Sequence, residues 1–377
     1  MRPVPRRSHE AGSSACCCYI APPFLLARLI QEGTPEQRTA AFNTLAASAS
    51  VRSRRALIGR IAREMPEVRS IAFAQPSQAA TAAEPEATLQ SVYDVEEGGN
   101  SSLPGTLMRA SGDPPAADPA VNEVYDATET THDFYRDVYK RDSIDDEGME
   151  LISSVHYGHL FHNAMWNGAQ MVYGDGDGHF LQIGTLTKAL DVIGHELTHG
   201  ITERTAGLEY SYQPGALNEH FSDVFGSLVK QHKLNQQAAE ADWLIGEGVL
   251  VPSLGKALRS MKEPGTAMEG DPQPADMSGY VDLPDDGLPE HDSGGVHINS
   301  GIPNHAFYLA ATSIGGYAWE KAGQIWYQTL TGGHLNPNSE FEDAAKATIG
   351  VAEELYGEGS EESSAVESAW QSVGVLP

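Results

Sequence analysis

The stretch His195-Glu196-Leu197-Thr198-His199 limits the folds open to this chain more than any other feature. Residues four apart share one face of a helix, so both imidazoles can reach a single cation. Glu196 projects to the side, within reach of a water on that cation. The apolar spacing of Leu190, Ile193, Leu197 and Ile201 predicts a helix from about Leu186 to Thr205. Catalytic zinc sites usually have three protein ligands and one open position. The third ligand is expected from Ala216-Leu217-Asn218-Glu219-His220-Phe221-Ser222-Asp223, with Glu219 as the donor. The pentapeptide alone arises by chance in helices, whereas an N-E-x-x-x-D helix following it gives a specific signal.

A chain of 377 residues, 40% hydrophobic, can build two or three domains or one large two-lobed one. It has no run of 18 apolar residues, so no spanning helix is expected. The stretch 16–30 follows Arg2, Arg6 and Arg7 and imitates a secretory signal peptide. Pro22-Pro23 and Arg28 interrupt it, and no A-x-A-like cleavage site follows. Charge is divided unevenly. Residues 1–70 hold 11 arginines and no lysine against 5 glutamates, while the remainder carries a net charge of −34. An acidic body repels phosphate, so no nucleic-acid partner is expected, and the cationic leader is expected to bind the body itself. All three cysteines are consecutive, Cys16-Cys17-Cys18, so the body cannot contain a disulfide. Either a thiolate here plugs the open zinc position, or the three form a small apolar patch packed on the body.

Along the chain, residues 1–70 are predicted helical. Thr34-Pro35-Glu36-Gln37 is a helix start, and Phe42 and Leu45, then Leu57, Ile58 and Ile61, give apolar stripes. Residues 75–87, rich in Ala, Pro, Ser and Gln, form a predicted linker open to proteolysis. Strands are predicted at Ser91–Val95, Leu151–Tyr157 and Gln170–Tyr173, a helix at Thr131–Lys140, and a tight hairpin turn at Gly174–Gly178. Beyond Gly215 helices are expected at Leu217–Lys233, Ile302–Ile314, Ala318–Leu330, Ser339–Tyr356 and Ser363–Val373, with a long irregular region from Val251 to Gly301.

The zinc pentapeptide, Gly215-Ala216-Leu217-Asn218-Glu219 with Asp223, and Gly294-Gly295-Val296-His297-Ile298-Asn299-Ser300-Gly301 resemble the signature blocks of the thermolysin family of metallopeptidases. Residues 163–168 (NAMWNG) and 171–176 (MVYGDG) resemble that family's edge-strand segment, and the likeness covers roughly residues 90–377. The leader with Pro22-Pro23-Phe24-Leu25-Leu26 resembles the short propeptide of the protealysin-like branch. The implied fold is α+β: a basic helical propeptide (1–75), a β-rich lobe ending in the zinc helix (76–205), and an α-helical lobe (206–377). Resemblance also implies secretion, although the absence of a clear signal peptide keeps cytoplasmic residence and non-standard export open. A monomer is expected.

The chemistry follows from the residue types. One zinc, held by His195, His199 and Glu219, would activate a water. Glu196 would take its proton and pass it to the departing amine. Tyr210 and His297 are the candidate oxyanion donors, roles that the resemblance also assigns. Asp292 would orient His297, and Asp223 would accept the second N–H of His195. The resemblance further implies that Asn163 and the Ala164 backbone hold polypeptide substrate as an added strand and that Arg259 binds a substrate carbonyl. Val192 and Leu258 would line a pocket for a bulky apolar residue after the cut. The whole would be an endopeptidase made as a latent precursor, inhibited by its own propeptide. A catalytically silent zinc-fold peptide binder is the alternative. Family-like calcium positions fall at Asp191, Asp242 and Glu247, but Lys230 and Leu244 replace two expected carboxylates. Lys230 is therefore expected to displace at least one calcium.

Overall fold

The computed structural model describes residues 18–64 and 89–377. The sulfurs of Cys16–Cys18, the side chains of Leu57, Ile58 and Ile61, and the linker at 75–87 lie outside the described residues. The leader supplies a short strand, β1 (Cys18–Tyr19), and two helices, α1 (Pro23–Glu32) and α2 (Pro35–Glu64). Proline is tolerated at the first helical position, so Pro23 opens α1. The expected capping pair forms at α2. Gln37 N donates to Thr34 Oγ1 at 3.3 Å and Thr34 N donates to Gln37 Oε1 at 2.9 Å. Phe42 departs from expectation, being 63% exposed. The buried stripe of α2 is Ala40, Ala41, Thr44 and Ser48 instead. These small residues let the helix lie close to the body, which turns Phe42 outward.

A six-stranded sheet follows, formed with β2 (Gln90–Asp94), β3 (Thr106–Ala110), β4 (Leu151–Val155), β5 (Ala164–Trp166) and β6 (Met171–Tyr173), in the order β1-β5-β6-β4-β2-β3. The pairs β2–β4 and β4–β6 are parallel and the rest antiparallel. The helix α3 (Pro119–Tyr139), longer than its aromatic spacing predicts, crosses β2 and packs on the zinc helix α4 (Leu190–Arg204). Among the described residues β6 pairs only with β4 and β5, so the predicted hairpin at Gly174–Gly178 does not form. Its aspartates serve as acceptors instead: Asp175 Oδ1 meets His156 Nδ1 at 2.8 Å, and Asp177 Oδ1 accepts from His179 N at 2.9 Å.

The second half is helical, as expected. It holds α5 (Tyr212–Leu234), a two-stranded ribbon of β7 (Leu244–Ile245) with β8 (Arg259–Ser260), α6 (Asp292–Asn299), α7 (Gly301–Ile314), α8 (Lys321–Thr331), α9 (Phe341–Tyr356) and α10 (Glu361–Ser372). The helix α6 falls inside the segment expected to be irregular. Asp292, Ser293, Gly294 and Gly295 all have positive φ, and this left-handed run turns the chain into the helix that carries His297. No described helix is long and apolar enough to cross a membrane.

The tightest helix pair is α4 with α5. Gly194 and Gly226 face one another there: a Cβ on Gly226 would lie 2.3 Å from Asp191 O, and one on Gly194 3.1 Å from Gly226 Cα. Two glycines thus bring the imidazoles of α4 beside the carboxylates of α5.

Candidate metal centre and substrate cleft

His195, His199 and Glu219 converge, fully buried, with their ligand atoms all within 4.8 Å of one another. His195 Nδ1 donates to Asp223 Oδ1 at 2.8 Å, and His199 Nδ1 donates to Asn218 Oδ1 at 2.8 Å. With both Nδ1 protons committed outward, both Nε2 atoms present lone pairs, and they lie 2.9 Å apart. The Glu219 carboxylate stands 3.5 Å from His195 Nε2 and 3.4 Å from His199 Nε2. Its Oε2 has no hydrogen-bond donor among the described residues. Two lone pairs and an anion buried face to face require a cation, and this N₂O set fits zinc with one position left open. Burial, then the neighbouring His195, holds His199 well below the ordinary imidazole pKa, in the neutral form a metal needs. Asp223 remains ionised. Burial alone would raise its pKa, but Arg259 and His195 more than offset that.

Glu196 is fully buried and accepts from Trp166 N at 2.9 Å. Burial is the main cause that pushes its pKa well above the carboxylate range, and the nearby Glu219 adds to it. Tyr210 Oη donates to Glu219 Oε1 in a short contact and lies 3.2 Å from His297 Nε2. Asp292 holds His297 at two points: Oδ1 with His297 Nδ1 at 2.6 Å and Oδ2 with His297 N at 2.8 Å. Burial would lower the His297 pKa, yet the Asp292 and Glu219 charges raise it to about 9. The imidazole is therefore cationic and a donor.

The leader runs through this cleft. Its β1 pairs antiparallel with β5, placing Cys18 opposite Trp166 and Tyr19 opposite Met165. The Tyr19 carbonyl lies 3.0 Å from His297 Nε2. Ile20 N donates to Ala164 O at 3.4 Å and also faces Glu196. Arg259 Nη1 donates to Ile20 O at 3.2 Å. Ala21 N donates to Asn163 Oδ1 at 2.9 Å, and Asn163 Nδ2 returns a bond to Ala21 O at 3.4 Å. Ile20 is fully buried within the same apolar cluster as Val192 and Leu258. The leader also touches both halves of the body. His162 N donates to Thr44 Oγ1 at 3.0 Å on one side, and Arg28 Nη1 donates to Glu269 O at 2.5 Å on the other.

At the family-like calcium positions, Lys230 Nζ stands 2.8 Å from Asp242, 3.4 Å from Asp191 and 3.7 Å from Glu247. Leu244 is buried in β7. An ammonium thus occupies the centre of the carboxylate group.

The arrangement brings His195, Glu196, His199, Tyr210, Glu219, Asp223, Arg259, Asp292 and His297 together with Asn163 and Ala164 around the leader strand, while Asp191, Asp242 and Glu247 gather separately around Lys230. Sequence reasoning missed Asn218 as the partner of His199, although its place directly before Glu219 was a usable signal. It also missed Tyr19 and Ile20 as the leader residues inside the cleft, because extended backbone carries no mark of its eventual partner strand.

Family descriptions "Thermolysin metallopeptidase, catalytic domain" and "Thermolysin metallopeptidase, alpha-helical domain" match residues 67–203 and 206–375. A protein named "Extracellular metalloprotease" from Pectobacterium carotovorum subsp. carotovorum is 44% identical over 95% of this chain and 96% of its own length. "Protease PrtS" of Photorhabdus sp. (strain Az29) is 48% identical over 76% of each. The solved precursor of protealysin, a metalloproteinase from Serratia proteamaculans, superposes with a TM-score of 0.79 at 44% identity, covering 95% of this chain and all of that one.

Proposed function

The chain belongs to the thermolysin family of metallopeptidases and is a zinc-dependent endopeptidase, and from that premise we propose that it is made as a latent precursor that cuts before bulky apolar residues. His195, His199 and Glu219 would hold zinc, whose charge would polarise the scissile carbonyl and acidify a water beside it. Glu196 takes the proton from that water and delivers it to the leaving nitrogen, the position where the Ile20 amide now faces it. His297, cationic beside Asp292, and Tyr210 donate to the carbonyl oxygen as it gains charge. Asn163 and the Ala164 backbone align substrate as an added strand, and Arg259 holds the carbonyl beyond the cut.

One observation supports the register and the latency together: the Tyr19–Ile20 peptide makes the contacts a substrate bond would make, with the Tyr19 carbonyl at His297, the Ile20 carbonyl at Arg259 and the Ile20 side chain fully buried. The leader, residues 1 to about 75, then acts as an intramolecular inhibitor, and residues 76–205 and 206–377 form the two catalytic lobes. Secretion is supported by the likeness to a relative named "Extracellular metalloprotease". A silent peptide binder has no use for a base and two oxyanion donors converging on the metal. The test is hydrolysis of casein by the intact precursor and by the protein freed of its leader. Release of activity on leader removal is expected, and equal activity before and after would reject latency.

A further inference from the structure

Asp223 receives one donor that the mechanism does not use. Asn304 Nδ2 donates to Asp223 Oδ2 at 2.8 Å, and Asn304 Oδ1 lies 2.9 Å from His220 Nδ1. His220 Nε2 in turn accepts from Trp326 Nε1 at 2.8 Å. Trp326, His220, Asn304 and Asp223 are all fully buried, out of reach of bulk solvent. From this chain of contacts we propose that Asn304 and His220 are positioning residues for the zinc ligand His195, with their orientation set by Trp326.

The orientation of the relay is set from its distal end. An indole N–H can only donate, so His220 Nε2 must carry the lone pair and His220 Nδ1 the proton. That proton claims the oxygen of the Asn304 amide. The amide nitrogen is then the only end left to face Asp223. Were the amide reversed, its oxygen would oppose an ionised carboxylate inside the core, an arrangement with no compensating solvent. Asp223 is correctly dressed only in the observed orientation: Asn304 and Arg259 Nε on Oδ2, His195 and Arg259 Nη2 on Oδ1. Fixing that carboxylate fixes the plane and tautomer of His195, the property through which outer partners tune metal affinity. The relay thus links α8 and α7 to the zinc helix through α5, and none of its outer members touches substrate or metal.

The inference rests on the zinc-endopeptidase reading and is tested on the full chain by zinc affinity, measured by competition with a chromogenic chelator, and by the visible absorption of the cobalt form. His220→Leu removes the donor that orients Asn304. His220→Gln offers an oxygen to Trp326 and an N–H to Asn304, and so restores the relay. Zinc affinity about 10- to 100-fold weaker in His220→Leu, with a changed cobalt spectrum, is expected. His220→Gln should return to within a few-fold of the parent. If His220→Leu does not fold, Asn304→Ala carries the same expectation. Parental zinc affinity in a variant whose melting temperature alone has dropped would overturn the relay. A parent protein that binds no zinc would instead refute the function on which it rests.

Discussion

Arg259 grips Asp223 with two hydrogen bonds, 2.8 Å from Nε to Oδ2 and 2.7 Å from Nη2 to Oδ1. The same guanidinium donates to the carbonyl of Ile20, and the same carboxylate accepts from His195. One buried ion pair therefore joins the metal ligand to the peptide in the cleft. Removing one partner of such a pair leaves an uncompensated buried charge, at a cost of about 3–5 kcal/mol. Arg259→Met should lose that order of stability in denaturant unfolding. Arg259→Met with Asp223→Asn should recover part of it.

Glu196→Gln keeps the size of the side chain and removes the base. Peptide hydrolysis should fall by about 10²- to 10⁴-fold, while zinc content, measured by elemental analysis on the same preparation, stays near one per chain. Loss of the metal together with activity would mean that Glu196 holds the site rather than serving the reaction.

Ile20→Asp sets a carboxylate in the fully buried apolar position that Ile20 now fills, at a desolvation cost that should weaken the hold of this strand on the cleft. The intact precursor carrying it should hydrolyse casein before any leader is removed. A variant precursor as silent as the parent would show that cleft occupancy by this strand is not what suppresses activity.

The ammonium of Lys230 lies among Asp191, Asp242 and Glu247. Burial works against its charge, but these carboxylates raise its pKa overall, so it remains a fixed cation. The melting temperature of the parent should not change when calcium is added or chelated. Lys230→Glu assembles the oxygens that calcium needs, and its stability should become calcium-dependent. Tightly held calcium at this place in the parent would refute the substitution.

His156 is raised to about 9, first by its hydrogen bond to Asp175 and also by Asp118, both at 2.8 Å, in spite of partial burial. Asp118 also caps α3 through a bond from Ala120 N. A histidine whose folded pKa lies above its unfolded value contributes most below about 6.5, and that contribution is lost as pH rises through 9. Unfolding free energy should therefore decline between pH 7 and 10. His156→Gln should flatten that decline, and an unchanged slope in the variant would remove His156 as its cause.

The paired imidazoles of the metal triad and the carboxylate beside them were legible because helical periodicity converts a five-residue spacing into a shared face. The helical second half was legible for a related reason: apolar stripes and end signals are local. The turn at Gly174–Gly178 was not, since glycine and aspartate favour a hairpin and an acceptor loop equally, and only the partners His156 and His179 decide between them. Phe42 misled because the face of α2 that docks is built of alanine, threonine and serine, which carry little hydrophobic signal. His297 was expected in irregular chain because its glycines hide a left-handed entry into a helix.

By itself the sequence determined the types of ligand, base and donor, the order of β-rich and α-rich halves, and a leader of opposite charge to the body. These depend on local spacing and composition. Only the tertiary structure decided which carboxylate faces which imidazole, that Lys230 sits among Asp191, Asp242 and Glu247, and that Tyr19 and Ile20 lie across the cleft. Those relationships join residues up to hundreds of positions apart, brought together where Gly194 and Gly226 let two helices touch and where a free strand edge accepts the leader's backbone. Backbone pairing and close packing carry no residue code of their own.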